Sequence, residues 1–149
     1  MALFRELCAR GDLDGVRAAV ARGDDVNVGD QLRITGLMLA LFRGHNNVVK
    51  FVLEEPSLHM NSSDRDGDTA LHWAVKNGNV TGLRTLLGDP LTRDPRLTSV
   101  NSRNRWGWTP LMEAVAEGSV ECARELVRVE GVDLDTWDDR GMSVEDMVR

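Results

Sequence analysis

Apolar residues recur at helical spacing in four short blocks of this chain, and each block is interrupted by a glycine at the same place. The blocks run CARGDLDGVRAAV from Cys8, LFRGHNNVVKFVL from Leu41, VKNGNVTGLRTLL from Val75 and VAEGSVECARELV from Val115. Their glycines, Gly11, Gly44, Gly78 and Gly118, lie 33, 34 and 40 residues apart. Five positions after each glycine stands one apolar column (Val16, Val49, Leu83, Ala123), and nine positions after it another (Val20, Leu53, Leu87, Val127). That spacing puts both columns on one face of a helix. A second short helical pattern precedes each glycine. The glycine therefore joins two helices, where a residue in the left-handed region can close the first.

Ahead of the first helix comes Thr, then a small residue or Pro, then Leu: Thr35-Gly36-Leu37, Thr69-Ala70-Leu71 and Thr109-Pro110-Leu111. Thr is a good N-cap, and Pro suits the first helical position. Before the Thr stands a turn that ends in glycine, Asp64-Arg65-Asp66-Gly67 or Asn104-Arg105-Trp106-Gly107. Asp or Asn opening a turn and Gly at a positive-φ position make hairpin chemistry. Each unit is thus a turn plus two antiparallel helices. Such a unit cannot bury its apolar face alone, so the units must stack.

The chain resembles the ankyrin-repeat family. The resemblance is carried by Thr69-Ala70-Leu71-His72-Trp73-Ala74, Thr109-Pro110-Leu111-Met112-Glu113-Ala114, Gly44-His45 and Asp25-Val26-Asn27. It covers nearly the whole chain and implies an all-α, ankyrin-type solenoid of stacked helix-turn-helix repeats with β-hairpin turns. The expected organisation is a single domain, 1–149, with repeats at about 2–29, 30–63, 64–103 and 104–137 and a half-repeat at 138–149. The first unit lacks the Thr-Pro-Leu pattern, as terminal units often do. In the second unit Arg33 stands where the turn glycine belongs, so the hairpin from Gly29 to Ile34 is expected to be irregular. An insertion is placed at 88–97, where Pro90 and Pro95 call for a loop. The half-repeat carries Met142, Val144, Met147 and Val148. It is apolar for an end cap, which leans toward a piece of a longer protein.

Composition narrows the function. Of 149 residues 42% are hydrophobic and 28% charged, and the net charge is -6. That balance argues for a globular chain and against nucleic acid or an anionic membrane surface as a partner. The longest apolar run, Leu37 to Phe42, is far too short to span a bilayer. Acid and base within Met1 to Glu6 do not pattern as a signal peptide. Two cysteines make no disulfide framework, so a cytoplasmic or nuclear setting is expected. Residues 68–108 hold six Lys or Arg against three Asp, whereas residues 109–149 hold four Arg against eleven acids. A basic partner segment is therefore expected near the fourth repeat.

No catalytic constellation is legible. Cys8 and Cys122 fall in the first and fourth units, so neither pairs with a local His as a nucleophile would need. There is no phosphate loop, no zinc motif and no cofactor signature. His72 near Asp66 and Asp68 could suggest a metal, but by the resemblance it bonds the neighbouring hairpin. His45 also reads as structural. What remains is binding to another protein or peptide by a monomer. The resemblance puts the binding positions at the turns and the ends of the first helices. They are Leu32, Phe42, Arg43, Arg65, Lys76, Arg103, Arg105, Trp106, Trp108, Trp137 and Arg140. Trp and Arg are the residue types enriched at interface hot spots. Trp106 and Trp137 are expected to be exposed for contact, Trp108 to pack on the adjacent hairpin, and Trp73 to lie in the core. Phe42 divides between neighbour packing and contact. Two further readings stay open: a stand-alone inhibitor covering the active face of an enzyme such as a kinase, and a targeting domain of a longer enzyme or receptor.

Overall fold

The structure, a computed structural model, describes residues 3–88 and 100–147. Four helix pairs follow one another: α1 (Phe4–Arg10) with α2 (Leu13–Ala21), α3 (Gly36–Arg43) with α4 (Asn46–Leu53), α5 (Ala70–Lys76) with α6 (Val80–Leu87), and α7 (Pro110–Ala116) with α8 (Val120–Val127). A short α9 (Val144–Met147) comes last. The first helices form one layer, α1 on α3 on α5 on α7 on α9, and the second helices form another, α2 on α4 on α6 on α8. This is a solenoid. Helices of two turns are marginal alone in water, so stacking must stabilise them.

Each pair closes by the same device. Gly11, Gly44, Gly78 and Gly118 have φ of 73, 76, 66 and 72°. Each glycine N–H bonds a carbonyl three residues back, and the next N–H reaches five back, as in Gly11 to Cys8 O and Asp12 to Leu7 O. That is the Schellman pattern, and it frees the chain to start the second helix at once. At the other end Thr35 and Thr109 accept the Met38 and Met112 N–H groups at 3.3 Å. The core runs between the two layers through Leu37, Leu41, Leu71, Leu83, Leu111 and Leu126. Of the two periodic columns, Val16, Val49 and Leu83 are fully buried and Ala123 is half-buried. In the other, Leu87 is buried while Val127 is 47% exposed, because no further helix of the described residues covers that side of α8.

The irregular hairpin expected around Arg33 does not occur. Arg33 takes φ of 63° and fills the role of Gly67, Gly107 and Gly141, whose φ values are 80, 80 and 78°. The bonds match as well: Arg33 N–H to Asp30 O at 2.9 Å and Asp30 N–H to Ile34 O at 3.2 Å parallel Gly67 to Asp64 and Asp64 to Asp68, both at 3.0 Å. The turn's shape is enforced by its hydrogen bonds, and Arg33 accepts a strained backbone to complete them. Single antiparallel bridges close three of the tips, Gly29 with Thr35, Ser63 with Thr69 and Trp137 with Ser143. The 88–97 insertion lies, apart from Gly88, outside the described residues.

Candidate protein-binding groove

The turns are built to stack. Their opening residues, Asp30, Asp64, Asn104 and Asp138, each use Oδ1 to accept two N–H groups of their own turn at 2.8–3.0 Å. These bonds hold the Asp30 carboxyl below its ordinary range, the one from Ile34 foremost. Burial pushes the Asp138 carboxyl up, but bonds from Met142, Trp108 and Arg140 outweigh it and leave it lowered. Successive turns are tied by backbone bonds, Arg65 N–H to Leu32 O, Arg105 N–H to Asp66 O and Asp139 N–H to Trp106 O. The result is a ladder of turn tips along one side of the first-helix layer.

Between ladder and helices runs a groove with two hollows. The first, about 410 Å³, is lined by Leu32, Ile34, Leu39, Phe42, Arg43, Arg65, Trp73 and Lys76 with the turn acids beneath. The second, about 480 Å³, is lined by Trp106, Trp108, Glu113, Asp139 and Arg140 and shares Lys76 with the first. The tryptophans are anchored: the Trp73 indole donates to Asp64 Oδ2 at 3.0 Å and the Trp108 indole to Asp138 Oδ2 at 2.9 Å. Phe42 stands edge-on to Trp73 at 5.7 Å, so it both packs on its neighbour and presents surface. At the centre Lys76 Nζ lies 3.2 Å from buried Asp68 and 3.0 Å from buried Glu113. Burial pulls its ammonium down, but the two carboxylates overcome that and leave it raised.

Several expected binding residues meet here: Leu32, Phe42, Arg43, Arg65 and Lys76 in the first hollow, and Trp106, Trp108 and Arg140 in the second. Others lie along the tips. Arg103 donates to the Gly107 and Trp137 carbonyls and straps two turns together. Arg105 pairs with Asp66 at 3.0 Å and covers the Trp106 ring at 5.2 Å. Trp137 is 58% exposed. Trp73 corrects the expectation of a core residue: it is half-buried and faces the groove. Glu113 was not anticipated. Both stand four residues after the capping Thr, as Leu39 does, and Trp73 lies three before Lys76, so helical spacing carried the signal.

His72 is buried and donates from Nε2 to Trp108 O at 2.8 Å, while Nδ1 accepts the Thr69 N–H at 3.1 Å. Burial lowers its pKa, which suits this neutral tautomer. Asp64, Asp66 and Asp68 bring oxygens within 4.8 Å of one another. Those carboxylates hold turn amides, Trp73, Arg105, Asn104 and Lys76, which is a structural use of them. Burial pushes the Cys8 thiol to about 12, and burial foremost also raises Cys122, so neither is an activated nucleophile. Among the described residues no helix is long and apolar enough to cross a membrane.

Paired short helices, turn tips in register and a groove between them define a helical-repeat recognition scaffold. The chain belongs to the ankyrin-repeat family: residues 4–99 match the family's model as three ankyrin repeats, and residues 106–139 match a further single repeat. Ankyrin repeats are a protein–protein interaction module and are generally non-catalytic. The chain is 30% identical over 146 residues to the "Probable 26S proteasome regulatory subunit p28" of Saccharomyces cerevisiae, covering 97% of this chain and 61% of that protein. It is 25% identical over 119 residues to human transient receptor potential cation channel subfamily A member 1, covering 80% of this chain and 10% of that one. It is 30% identical over 146 residues to the E3 ubiquitin-protein ligase KEG of Arabidopsis thaliana, covering 90% and 8%. The chain thus spans less than two thirds of the length of these relatives.

Proposed function

We propose that the chain is a non-catalytic module that holds a partner protein or peptide in this groove. The carrying observation is a single face on which Leu32, Phe42 and Trp106 stay 55, 38 and 48% exposed beside tryptophans pinned by turn carboxylates. Rigid aromatic surface gives contact area with little side-chain entropy left to lose. The acidic fourth unit favours a basic stretch of the partner there. The buried thiols fit a reducing cytoplasmic or nuclear setting, and the module is read as a monomer. The yeast relative's name, a proteasome regulatory subunit, favours a module that targets or attaches to an assembly over a stand-alone inhibitor.

The test is affinity capture by the native chain and by a Phe42→Ala/Trp106→Ala variant whose circular dichroism matches. A protein retained by the native chain and lost by the folded variant supports the groove. Equal capture by both forms would move the site to another face.

A further inference from the structure

The first hollow has a charge pattern that specifies its occupant, and this inference rests on the groove being the binding surface. Its apolar lining includes Leu32, Ile34, Phe42 and Trp73. Its acids are already engaged. Asp64 accepts the Asp66 and Asp68 N–H groups on one oxygen and the Trp73 indole on the other. Asp66 pairs with Arg105, and Asp68 takes the Asn104 amide at 2.9 Å and Lys76 at 3.2 Å. Lys76 is in turn held by Glu113. The two arginines at the hollow differ: the exposed side chains of Arg43 and Arg65 have no acid partner among the described residues. Other arginines at the surface do find one, as Arg5 with Asp30, Arg22 with Asp24, Arg84 with Glu125 and Arg140 with Asp138. Although Arg17, Arg33 and Arg124 also lack an acid partner among the described residues, this hollow is lined by two such arginines together. The formal charges lining the hollow balance, with Arg43, Arg65 and Lys76 against Asp64, Asp66 and Asp68, but the acids are engaged and these two guanidinium groups are left to pair with carboxylates of an occupant.

We propose that the hollow receives an extended peptide segment in which an aliphatic or aromatic residue is flanked by Asp or Glu. The apolar side chain lodges against Leu32, Phe42 and Trp73, and the flanking carboxylates meet the Arg43 and Arg65 guanidinium groups, which favour such partners geometrically. The occupant's end over the second and third units is therefore acidic, opposite in sign to the end expected over the fourth.

The experiment is an NMR titration of the full ¹⁵N-labelled chain with acetyl-Glu-Phe-Asp-amide, and in parallel with acetyl-Lys-Phe-Lys-amide. The acidic peptide is expected to shift the Trp73 indole N–H and to bind better than the lysine peptide. Binding weakens about fivefold to tenfold in Arg43→Ala/Arg65→Ala, in line with two exposed charge pairs, and recovers only in part in Arg43→Lys/Arg65→Lys, which keeps the charge without the guanidinium fork. The same spectra report whether each variant is folded. Equal binding of the two peptides, indifference to the arginine changes, or no shift at saturating peptide would each overturn the inference. Shifts confined to the Trp106 and Trp108 indoles would overturn it while leaving the groove itself supported. If neither peptide binds, the capture experiment still decides the groove separately.

Discussion

Arg33 is the one non-glycine among the described residues with positive φ, and its side chain is exposed. An L-residue there costs about 1–2 kcal/mol in backbone strain, and glycine brings an entropic cost of about 0.5–1 kcal/mol. Arg33→Gly is therefore expected to stabilise the chain by about 0.5–1 kcal/mol, read as a higher urea midpoint at unchanged slope. Gly67 shows the opposite case. It has φ of 80°, and a Cβ there would come within 3.1 Å of the Asn104 backbone in the next turn. Gly67→Ala strains its own turn and pushes on the tie between neighbouring turns. A loss of about 2 kcal/mol or more is expected from the same urea titration. Such positions show what a sequence does and does not disclose. The closing glycines and capping threonines are legible because each answers a hydrogen-bond need within a few residues. The strain at Arg33 is not, because the substitution reads as a broken turn until the bonds from Asp30 are seen to hold it. Trp73 reads as core because it stands on a first helix beside Ala74. Its indole is drawn to the groove by Asp64, nine residues earlier, through a turn geometry that periodicity does not encode.

At the scale of elements, α5 joins the layers of polar structure. His72 ties α5 to the segment preceding α7 through Trp108 O, and Lys76 ties it to α7 through Glu113. Burial foremost depresses the His72 pKa below 6.5, so the unfolded chain takes up its proton first as pH falls. This contribution to stability is complete above about pH 6.5 and declines below it until the folded pKa is reached, at no more than about 1.4 kcal/mol per pH unit. Urea midpoints at several pH values should fall through this window, and His72→Gln should flatten the slope. An unchanged slope in the variant would assign the titration to another group. Lys76→Met leaves Asp68 and Glu113 buried without their cation. A loss of about 2–4 kcal/mol is expected, discounted for the partial exposure of the lysine. Lys76→Met/Glu113→Gln should recover much of it, and the double-mutant cycle measures the coupling directly.

Across the whole molecule, stability follows the stacking rather than any single core. Each interior unit is held on two sides: α4 packs on both α2 and α6, and α6 on both α4 and α8. Among the described residues α8 packs within the second-helix layer on α6 alone, and Val120 and Val127 remain 61 and 47% exposed on it. In a quasi-one-dimensional array the free energy of a unit is its own term plus one term per interface; α7 meets α9 on its outer side, so the missing interface falls on α8, which opens more readily. Two valines left largely in water forgo roughly 2 kcal/mol of burial between them. Hydrogen exchange should therefore be about thirtyfold faster in the α8 amides than in those of α4 and α6. Uniform protection across the three helices would show that the chain opens as one cooperative unit instead. The same asymmetry is testable by substitution. Val127→Lys should stay within about 0.5 kcal/mol of the parent, whereas Leu87→Lys, at the corresponding and buried position of α6, should cost several times that, because it replaces a buried apolar side chain with a charge. The groove runs over the second and third units and ends against the fourth, whose second helix has a layer neighbour on one side alone among the described residues. A partner that bridges Trp73 and Trp106 would tie the third and fourth units together. Its binding should then slow exchange most in α7 and α8, even though α8 lies in the layer away from the groove.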